Sequence, residues 1–511
     1  MFGGTGTSSG VRRAPSLVSL VCLAAGLSCA RRPPDRLLVV AYPAGLHSTD
    51  VNDPAHEEFS TAILANVYET LIDVAPDLSL KPGLAESWYS PDDLTWVFRL
   101  RRGVLLHDGR TLTSGDVVAS FERTRSNAFL RGELAAVAEV KARGDLEVVF
   151  STRVPFQALP QHLTYLFVTG TPSADGPAPG TGPYRIGSWQ PNGVTVLEAF
   201  AGHRDGPPPI ARVRYETVPS AQERARLLRK GEVHLVSDVL PAEMEGPTPP
   251  DVRFVALPGL RALFLAMDCA HERSPYVSPG GNPFRDRRVR EAVALAVDRD
   301  ALVTGPLHGY AEPIDQLAAP GEIGFDASLP PARVDLEEAR RLIAEAAPRG
   351  FDVQLDYMTG KYLAAEAVVE ALAAQLGQIG IRAHPRAHSP AELFQHVERQ
   401  DTALYLLGWR NDSRSVQETY ASLLHSPRDD LGGTNGGGFS SPELDALLDA
   451  APGQLDVESR TATLKRATQI VDAERPIVPL YRQKSLYAFV SDLAFEPHGY
   501  APIRAALLRW R

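Results

Sequence analysis

The chain has 511 residues, which is more than one simple hydrophobic core holds and predicts two or three structural bodies. Hydrophobic residues make up 44% and charged residues 22%, the composition of an ordinary soluble globular protein. The formal net charge is −10, and no cluster of Lys and Arg accompanies an aromatic cluster, so no nucleic-acid partner is expected.

The first 28 residues are predicted to be an export signal. Arg12 and Arg13 form a short basic region, and the apolar run that follows is too short to span a bilayer as a helix. The run ends in a small residue directly before Cys29, which resembles the lipobox of bacterial lipoproteins, although Gly26 stands where lipoboxes prefer Leu. We therefore expect a lipid on Cys29 that anchors the protein to a membrane. The alternative is an ordinary cleaved signal in which Cys29 has no role.

Cysteine and histidine usage argues against a metal or catalytic site. Of three cysteines, only Cys269 remains free in the mature body, which predicts no internal disulfide and no thiolate metal site. His384 and His388 are four residues apart, but Pro385 between them disfavours one helix that presents both to a metal. The serine-hydrolase string at 6–10 falls inside the export signal, with no strand before it. No enzyme activity, cofactor or metal is expected.

Strand and helix patterns alternate along the rest of the chain, which predicts an α/β protein. A short tether at 29–34 precedes them, and the Pro/Gly-rich stretch 172–183 is a boundary between parts. Asp335 with Glu338 predicts an N-terminal cap on one helix. From the apolar spacing we predict strands at 37–42, 94–100, 146–150 and 402–409, and helices at 59–71, 219–230 (ended by Gly231), 285–303 and 336–346.

A series of short motifs resembles one family of proteins. They include Pro-Gly-Leu-Ala-Glu-Ser-Trp at 82–88 and Gly-Thr-Gly-Pro-Tyr at 180–184, and they follow the order that the family has. The segments that carry the resemblance are 66–71, 82–88, 95–104, 107–109, 115–120, 180–184, 283–292, 296–299, 408–412 and 441–445. The chain is similar over residues 37–490 to the extracellular solute-binding family that includes oligopeptide-, dipeptide-, nickel- and glutathione-binding proteins.

The resemblance implies a type II periplasmic-binding-protein fold, a two-lobed α/β clamshell with a small extra subdomain in the first lobe. The first lobe is assigned to 35–63, 181–258 and 482–511, the inserted subdomain to 64–180, and the second lobe to 259–481. It also implies a monomeric substrate-binding protein of an ABC importer, in the periplasm or at the cell surface. Such a protein captures a small peptide between its lobes and delivers it to permease subunits. The alternatives are a binding protein for a non-peptide solute, such as a metal chelate or an oligosaccharide, and a sensory binding module.

The stretch from Gly408 to Asp412 is the expected ligand site. In peptide-binding relatives the Asp of this motif pairs with the ligand's α-amino group, and Asp412 is the matching position. Trp409 would supply a flat apolar wall, with Arg410 and Asn411 beside it, and Lys361 would face the peptide's C-terminal carboxylate. The alternatives are a loop salt bridge between Asp412 and a neighbouring arginine, and a packing role for Trp409.

The sequence departs from the family pattern in two places. Asp268 stands where the family usually has Asn, and residues 270–282 are inserted after it. Both are expected near the crossing between the lobes, where they would alter ligand preference. After Asp412 the chain has Ser413 and Arg414 in place of the family's acidic and small residues, which adds a cation beside the expected pocket.

Overall fold

The computed structural model separates the chain into two units, Met1–Asp35 and Arg36–Arg511. The residues that it describes are Met1, 36–53, 56, 58–75, 79–124, 127, 130–131, 134–172, 176–245, 249–411, 415–428, 431–454, 456–497 and 503–511. Apart from Met1, the expected export signal, the tether and Cys29 therefore lie outside the described residues, as does Asp412 with the two residues after it. In the described parts, no helix is both long and apolar enough to cross a bilayer.

A first seven-stranded sheet is built around β1, whose five residues are all buried. β1 pairs in parallel with β12 and β13, and the outer strands pair antiparallel, in the order β10-β11-β12-β1-β13-β22-β14. Its strands are β1 (Leu38–Tyr42), β10 (Tyr184–Trp189), β11 (Thr195–Ala199), β12 (Arg212–Thr217), β13 (Leu235–Ser237), β14 (Val252–Leu257) and β22 (Ser485–Val490). Helices next to these strands in the chain include Glu58–Leu64, Ala221–Arg229 and Pro241–Glu245.

A second seven-stranded sheet has the order β16-β18-β20-β15-β21-β17, with β19 paired to β18. Its strands are β15 (Arg261–Met267), β16 (Val277–Ser278), β17 (Ala311–Pro313), β18 (Phe351–Met358), β19 (Ile381–His388), β20 (Leu404–Arg410) and β21 (Ile477–Gln483). The α-helices along this part of the chain are Arg287–Ala296, Arg299–Thr304, Leu336–Ala346, Ala365–Gly377, Pro390–Glu398, Val416–Leu423, Pro442–Ala450 and Val457–Glu474. Short 3-10 turns occupy Pro283–Arg285, Ala451–Gly453 and, near the chain end, Ala505–Leu507.

A smaller antiparallel sheet has an apolar core of its own. The rings of Phe98 and Phe150 meet edge to face there with centroids 5.3 Å apart, and Trp96 is buried beside them. Trp96 and Phe98 are thus core residues of this sheet. The sheet has the order β5-β6-β8-β7, from β5 (Ala85–Asp92), β6 (Thr95–Leu100), β7 (Val137–Arg143) and β8 (Glu147–Thr152), with helices Ser114–Thr124 and Leu159–His162. Two-stranded pairs are β2 (Glu69–Thr70) with β9 (Phe167–Val168), β3 (Ile72–Val74) with β4 (Leu80–Pro82), and β23 (Leu493–Ala494) with β24 (Arg509–Trp510).

The helix predicted at 59–71 is wrong in its second half, because the helix ends at Leu64. The carbonyl oxygens of Asn66 and Val67 accept hydrogen bonds from Tyr184 and Gly182, at 3.1 and 2.9 Å. Those two carbonyls thus face the Gly-Thr-Gly-Pro-Tyr stretch instead of the next helical turn. The apolar residues beyond Leu64 that indicated a helix are buried next to short strands at 69–70 and 72–74.

The helix predicted at 285–303 is also wrong as one element, since it divides into a 3-10 turn and two α-helices. The break falls at Val297, which is extended, and Asp298 caps the next helix by accepting a hydrogen bond from the amide of Ala301 at 2.9 Å. The helices predicted at 336–346 and 219–230 are confirmed, the second with its α-helical residues at Ala221–Arg229. Asp335 accepts from the amide of Glu338 at 3.0 Å, as its capping pattern predicted.

Candidate functional site

Two chain segments join the two large sheets, and they touch each other. Residues 258–260 connect β14 to β15, and Lys484 connects β21 to β22. A Cβ atom on Gly259 would lie 2.2 Å from the carbonyl oxygen of Gln483, so only glycine fits there. Chain ends from both sheets therefore meet at this crossing.

On the side of the first sheet, the carboxyl ends of the parallel strands β1 and β13 face the crossing. Ligands of open α/β sheets bind beyond such strand ends. Tyr42 ends β1, and its ring packs on Phe59 with centroids 5.2 Å apart, which docks the helix Glu58–Leu64 there. Asp238 follows β13 directly, and its backbone has φ +52°, a left-handed conformation that is rare outside glycine. This end of the sheet thus presents an acidic residue in a strained backbone position.

On the side of the second sheet, two arginines stand directly opposite each other. Arg261 begins β15 and Arg410 ends β20, and the antiparallel register pairs them. Like charges in such positions repel, unless a counter-charge lies between them. The carboxylate of Glu58, from the first body, supplies it: Arg410 Nη1 lies 2.7 Å from Oε1, and Arg261 donates to Oε2. This group, Glu58 with Arg261 and Arg410, is called the bridging triad below.

The electrostatics of the bridging triad favour its charged form. Burial alone would raise the pKa of Glu58, but the nearby positive charges of Arg261, Arg410 and Lys361 outweigh it and hold that pKa well below its usual range. Burial raises the pKa of Asp238, and the negative charge of Glu58 adds to the effect. Of the two carboxylates at the crossing, Glu58 is the one that keeps its charge most firmly.

Gly408 and Trp409 are placed by packing. The amide of Gly408 donates to the hydroxyl of Tyr362 at 2.9 Å, and a Cβ at this position would lie 2.6 Å from Leu263 and 2.8 Å from the Tyr362 ring. Trp409 is half-buried and packs against the large apolar core. Because side chains alternate along a strand, Trp409 lies on the face of β20 opposite to Arg410.

The remaining site residues predicted from sequence divide between two places. Lys361 is half-buried in the loop after β18, within electrostatic reach of both Glu58 and Asp238. Asn411 is buried, and its side-chain amide donates to the Glu322 carboxylate at 2.9 Å. The structure therefore brings Arg410 and Lys361 to the crossing and gives Asn411 an internal partner. Asp412 lies outside the described residues, so its predicted role stays a prediction.

The expectation that Asp268 lies near the crossing is wrong. Asp268 follows the far end of β15, whose first residue, Arg261, is the one at the crossing. Seven strand residues span about 20 Å, so Asp268 is remote from the bridging triad. Its buried carboxylate accepts hydrogen bonds from the amides of Ala270 and His271, at 3.0 and 3.1 Å. Asp268 thus organises the start of the inserted stretch 270–282.

Comparison with known proteins identifies the family of this chain. Residues 79–430 match the family described as bacterial extracellular solute-binding proteins, family 5, middle region. The chain belongs to this family. Its members are solute-binding proteins rather than enzymes.

Individual relatives match nearly the whole length of this chain. The glutathione-binding protein GsiB of Salmonella choleraesuis is 26% identical over 479 residues, which cover 89% of this chain and 91% of that protein. DppA from Helicobacter pylori, solved with the peptide STSA, has a TM-score of 0.81 at 22% identity and covers 93% of this chain and 98% of its own. A dipeptide-binding protein from Pseudoalteromonas sp. SM9913, solved with Met-Leu, has a TM-score of 0.82 at 19% identity, covering 93% and 100%. The predicted two-lobed type II periplasmic-binding-protein fold is confirmed.

Sequence reasoning missed three residues of this candidate site, namely Glu58, Asp238 and Arg261. One of them left a signal: Arg261 opens an otherwise apolar strand two residues after Gly259. A charge at the start of such a strand indicates that this end is not enclosed in the core. Glu58 left no comparable signal, because its partners are more than 200 residues away in sequence.

Proposed function

We propose that this protein is the extracytoplasmic substrate-binding protein of an ABC importer, a monomer that captures peptides between its lobes and delivers them to permease subunits. The observation that carries the proposal is the meeting of charged groups from both sheets at the crossing. A peptide has an ammonium group at one end and a carboxylate at the other, so a site with both signs of charge suits it. Membership of a solute-binding family and relatives named for glutathione and peptides support the same function.

Closure of the two lobes around the peptide is the expected mechanism. The two segments at 258–260 and 484 are short, so they suit a hinge that absorbs a rotation of one body against the other. A ligand shifts an open–closed equilibrium only as far as it binds the closed form better. Contacts made from both lobes at once provide that difference.

Recognition of the peptide is proposed to divide between its ends and its main chain. The Asp412 carboxylate receives the α-amino group through a charge-assisted hydrogen bond, and Lys361 faces the C-terminal carboxylate. Trp409 contributes an apolar wall. The main chain pairs with protein backbone as an added strand does, which leaves peptide side chains in tolerant pockets.

The first test is the loss of the Asp412 charge. Replacing Asp412→Asn should weaken peptide binding by about 2–5 kcal/mol, the usual cost of removing one partner from a buried charge pair. Isothermal titration calorimetry with a tripeptide library identifies the tripeptide that binds most tightly. The affinity for this tripeptide is then compared with the affinity for its N-acetylated form. Acetylation should weaken binding to the wild type strongly and to the variant little. Asp205→Asn is the control, because its side chain is 74% exposed.

Unchanged affinity in Asp412→Asn would reject the amino-group role. Absence of binding by peptides of two to nine residues would reject the peptide function and favour a non-peptide solute, such as a metal chelate or an oligosaccharide. Mass spectrometry of the solute that co-purifies with the folded protein then identifies its class.

We further propose that a lipid on Cys29 anchors the mature protein in the periplasm or at the cell surface. The basic, apolar, small-residue and Cys order of the N-terminus supports it. Metabolic labelling with a fatty acid should mark the wild type and leave Cys29→Ala unmarked. Equal labelling of the two proteins would contradict the anchor.

A further inference from the structure

The bridging triad is built as a carboxylate site. Arg261 and Arg410 project from directly opposed positions on neighbouring strands, so their guanidinium groups approach one point from two sides. Each oxygen of the Glu58 carboxylate takes one of them, with Oε1 to Arg410 and Oε2 to Arg261. Arg261 is also held in place, since it lies over the Tyr362 ring at 5.9 Å. Such a pair of fixed guanidinium groups binds any carboxylate of the right position, whichever molecule carries it.

Solvent reaches the side chains of this site. The side chains of Glu58 and Arg410 are 34% and 28% exposed, and that of Arg261 is 16% exposed. Glu58 comes from the first body and the arginines from the second, so the site lies between the lobes, where the proposed function puts the ligand.

The local charge favours an incoming anion. Among the described residues that act on Glu58, the cations Arg261, Arg410 and Lys361 stand against one firmly charged carboxylate, that of Glu58 itself. Asp238 is a weaker competitor, because burial raises its pKa and so opposes its charged form. A second carboxylate is accordingly stabilised here rather than repelled.

We propose that Arg261 and Arg410 form the subsite for a carboxylate of the ligand, and that Glu58 is a built-in competitor which this carboxylate displaces. This inference rests on the proposed capture of a solute between the lobes and names its chemical class, a peptide with a free carboxylate that reaches β15 and β20. Displacement makes the site selective: a peptide that lacks the carboxylate leaves Glu58 on both arginines and gains nothing from them.

The test compares the tightest tripeptide of the library with its C-terminal amide in calorimetry. The quantity measured is the ratio of the affinity for the acid to that for the amide. In the wild type the acid should bind at least about tenfold more tightly, as a charge-assisted pair in a cleft provides. Arg261→Met should lower this ratio severalfold, although Lys361 still faces the carboxylate, and Glu58→Gln should raise it severalfold, because the competitor has lost its charge.

Two further variants keep the test decisive. Arg410→Met changes the last residue of β20 and should lower the ratio as Arg261→Met does. It replaces Arg261→Met in the test if that variant does not fold. Arg253→Met, an exposed arginine of β14, is the matched control and should leave the ratio unchanged. A ratio that stays at its wild-type value in both arginine variants would overturn the subsite, and equal loss of both ligands in Glu58→Gln would show instead that the triad only holds the lobes together. If peptides of two to nine residues do not bind the wild type in either form, the proposed peptide function fails and the subsite for it fails with it.

Discussion

Asp238 shows how a single position combines strain, burial and charge at the end of a strand. Its left-handed backbone is stabilised from outside, because Arg224 donates to its carbonyl oxygen at 2.8 Å and its amide donates to the carbonyl of Leu486 at 2.9 Å. In the described residues, no group donates a hydrogen bond to its carboxylate within the ordinary distance. Residues that lower stability in this way are concentrated at functional sites.

Asp238→Asn is therefore predicted to stabilise the protein at neutral pH, by about 1 kcal/mol, since it removes a partly buried charge and Asn adopts the left-handed region more readily. Because the folded state binds the proton more tightly than the unfolded state, the stability that Asp238 contributes is complete below its unfolded pKa of about 3.9 and is lost as the pH rises through its raised folded value. The gap between variant and wild type should thus narrow as the pH falls toward 4. Urea denaturation at several pH values measures this, with Asp205→Asn as control. A variant that is less stable at neutral pH would contradict it.

At the residue scale, sequence identified what lies within one short segment. The stretch 408–412 was found from its own pattern, and the structure puts Arg410 at the crossing. Its division into two faces could not be predicted, because that depends on where the partners Glu58 and Glu322 lie in space. Positions such as Glu58 and Arg261, far apart in sequence, become a site only through the register of β15 and β20 and the docking of one short helix.

The pairing of β18 with β19 contains two groups of the same kind, each an Asp that contacts an Arg and a His. Asp352 contacts Arg382 and His384, and four residues later Asp356 contacts Arg386 and His388 in the same register. Alternation along a strand places His384 and His388 on one face, which explains their spacing without a helix or a metal. The two carboxylates differ in burial, since Asp356 is 0% exposed and Asp352 is 36% exposed.

This difference makes a matched pair of variants. Asp356→Ala should destabilise the protein by about 3 kcal/mol, because it leaves Arg386 and His388 without their buried counter-charge. Asp352→Ala should cost much less, since its ion pairs are exposed to solvent and screened. Thermal unfolding of the two variants at equal pH measures the contrast. Equal destabilisation by both substitutions would show that burial does not set the strength of this ladder.

Elements with a local cap were predicted well, and elements that end through distant contacts were not. Asp335 caps its helix at the predicted residue, because the capping pattern is contained in four consecutive residues. The end of the first helix at Leu64 is followed by hydrogen bonds from residues 182 and 184, which no window around residue 64 reveals. The same holds for the break at Val297, where Gln375 accepts a hydrogen bond from the amide of Asp298 at 3.0 Å.

At the scale of the whole molecule, the fold was predicted from the order of short motifs along the chain. Periodicity alone would have predicted only an α/β protein. The lobe bounds stay a prediction. The described residues show two large sheets joined by two short segments, and charged contacts between the bodies at that junction. Such an arrangement suits a molecule that opens and closes at the junction and holds a ligand there.

Small-angle scattering with and without a saturating tripeptide tests this central claim most directly. A ligand that contacts both lobes binds the closed form better, so the radius of gyration of the mature protein should decrease when the tripeptide is added. Arg253→Met, the surface control, should show the same decrease. An unchanged radius at a tripeptide concentration that calorimetry shows to be saturating would contradict capture by lobe closure.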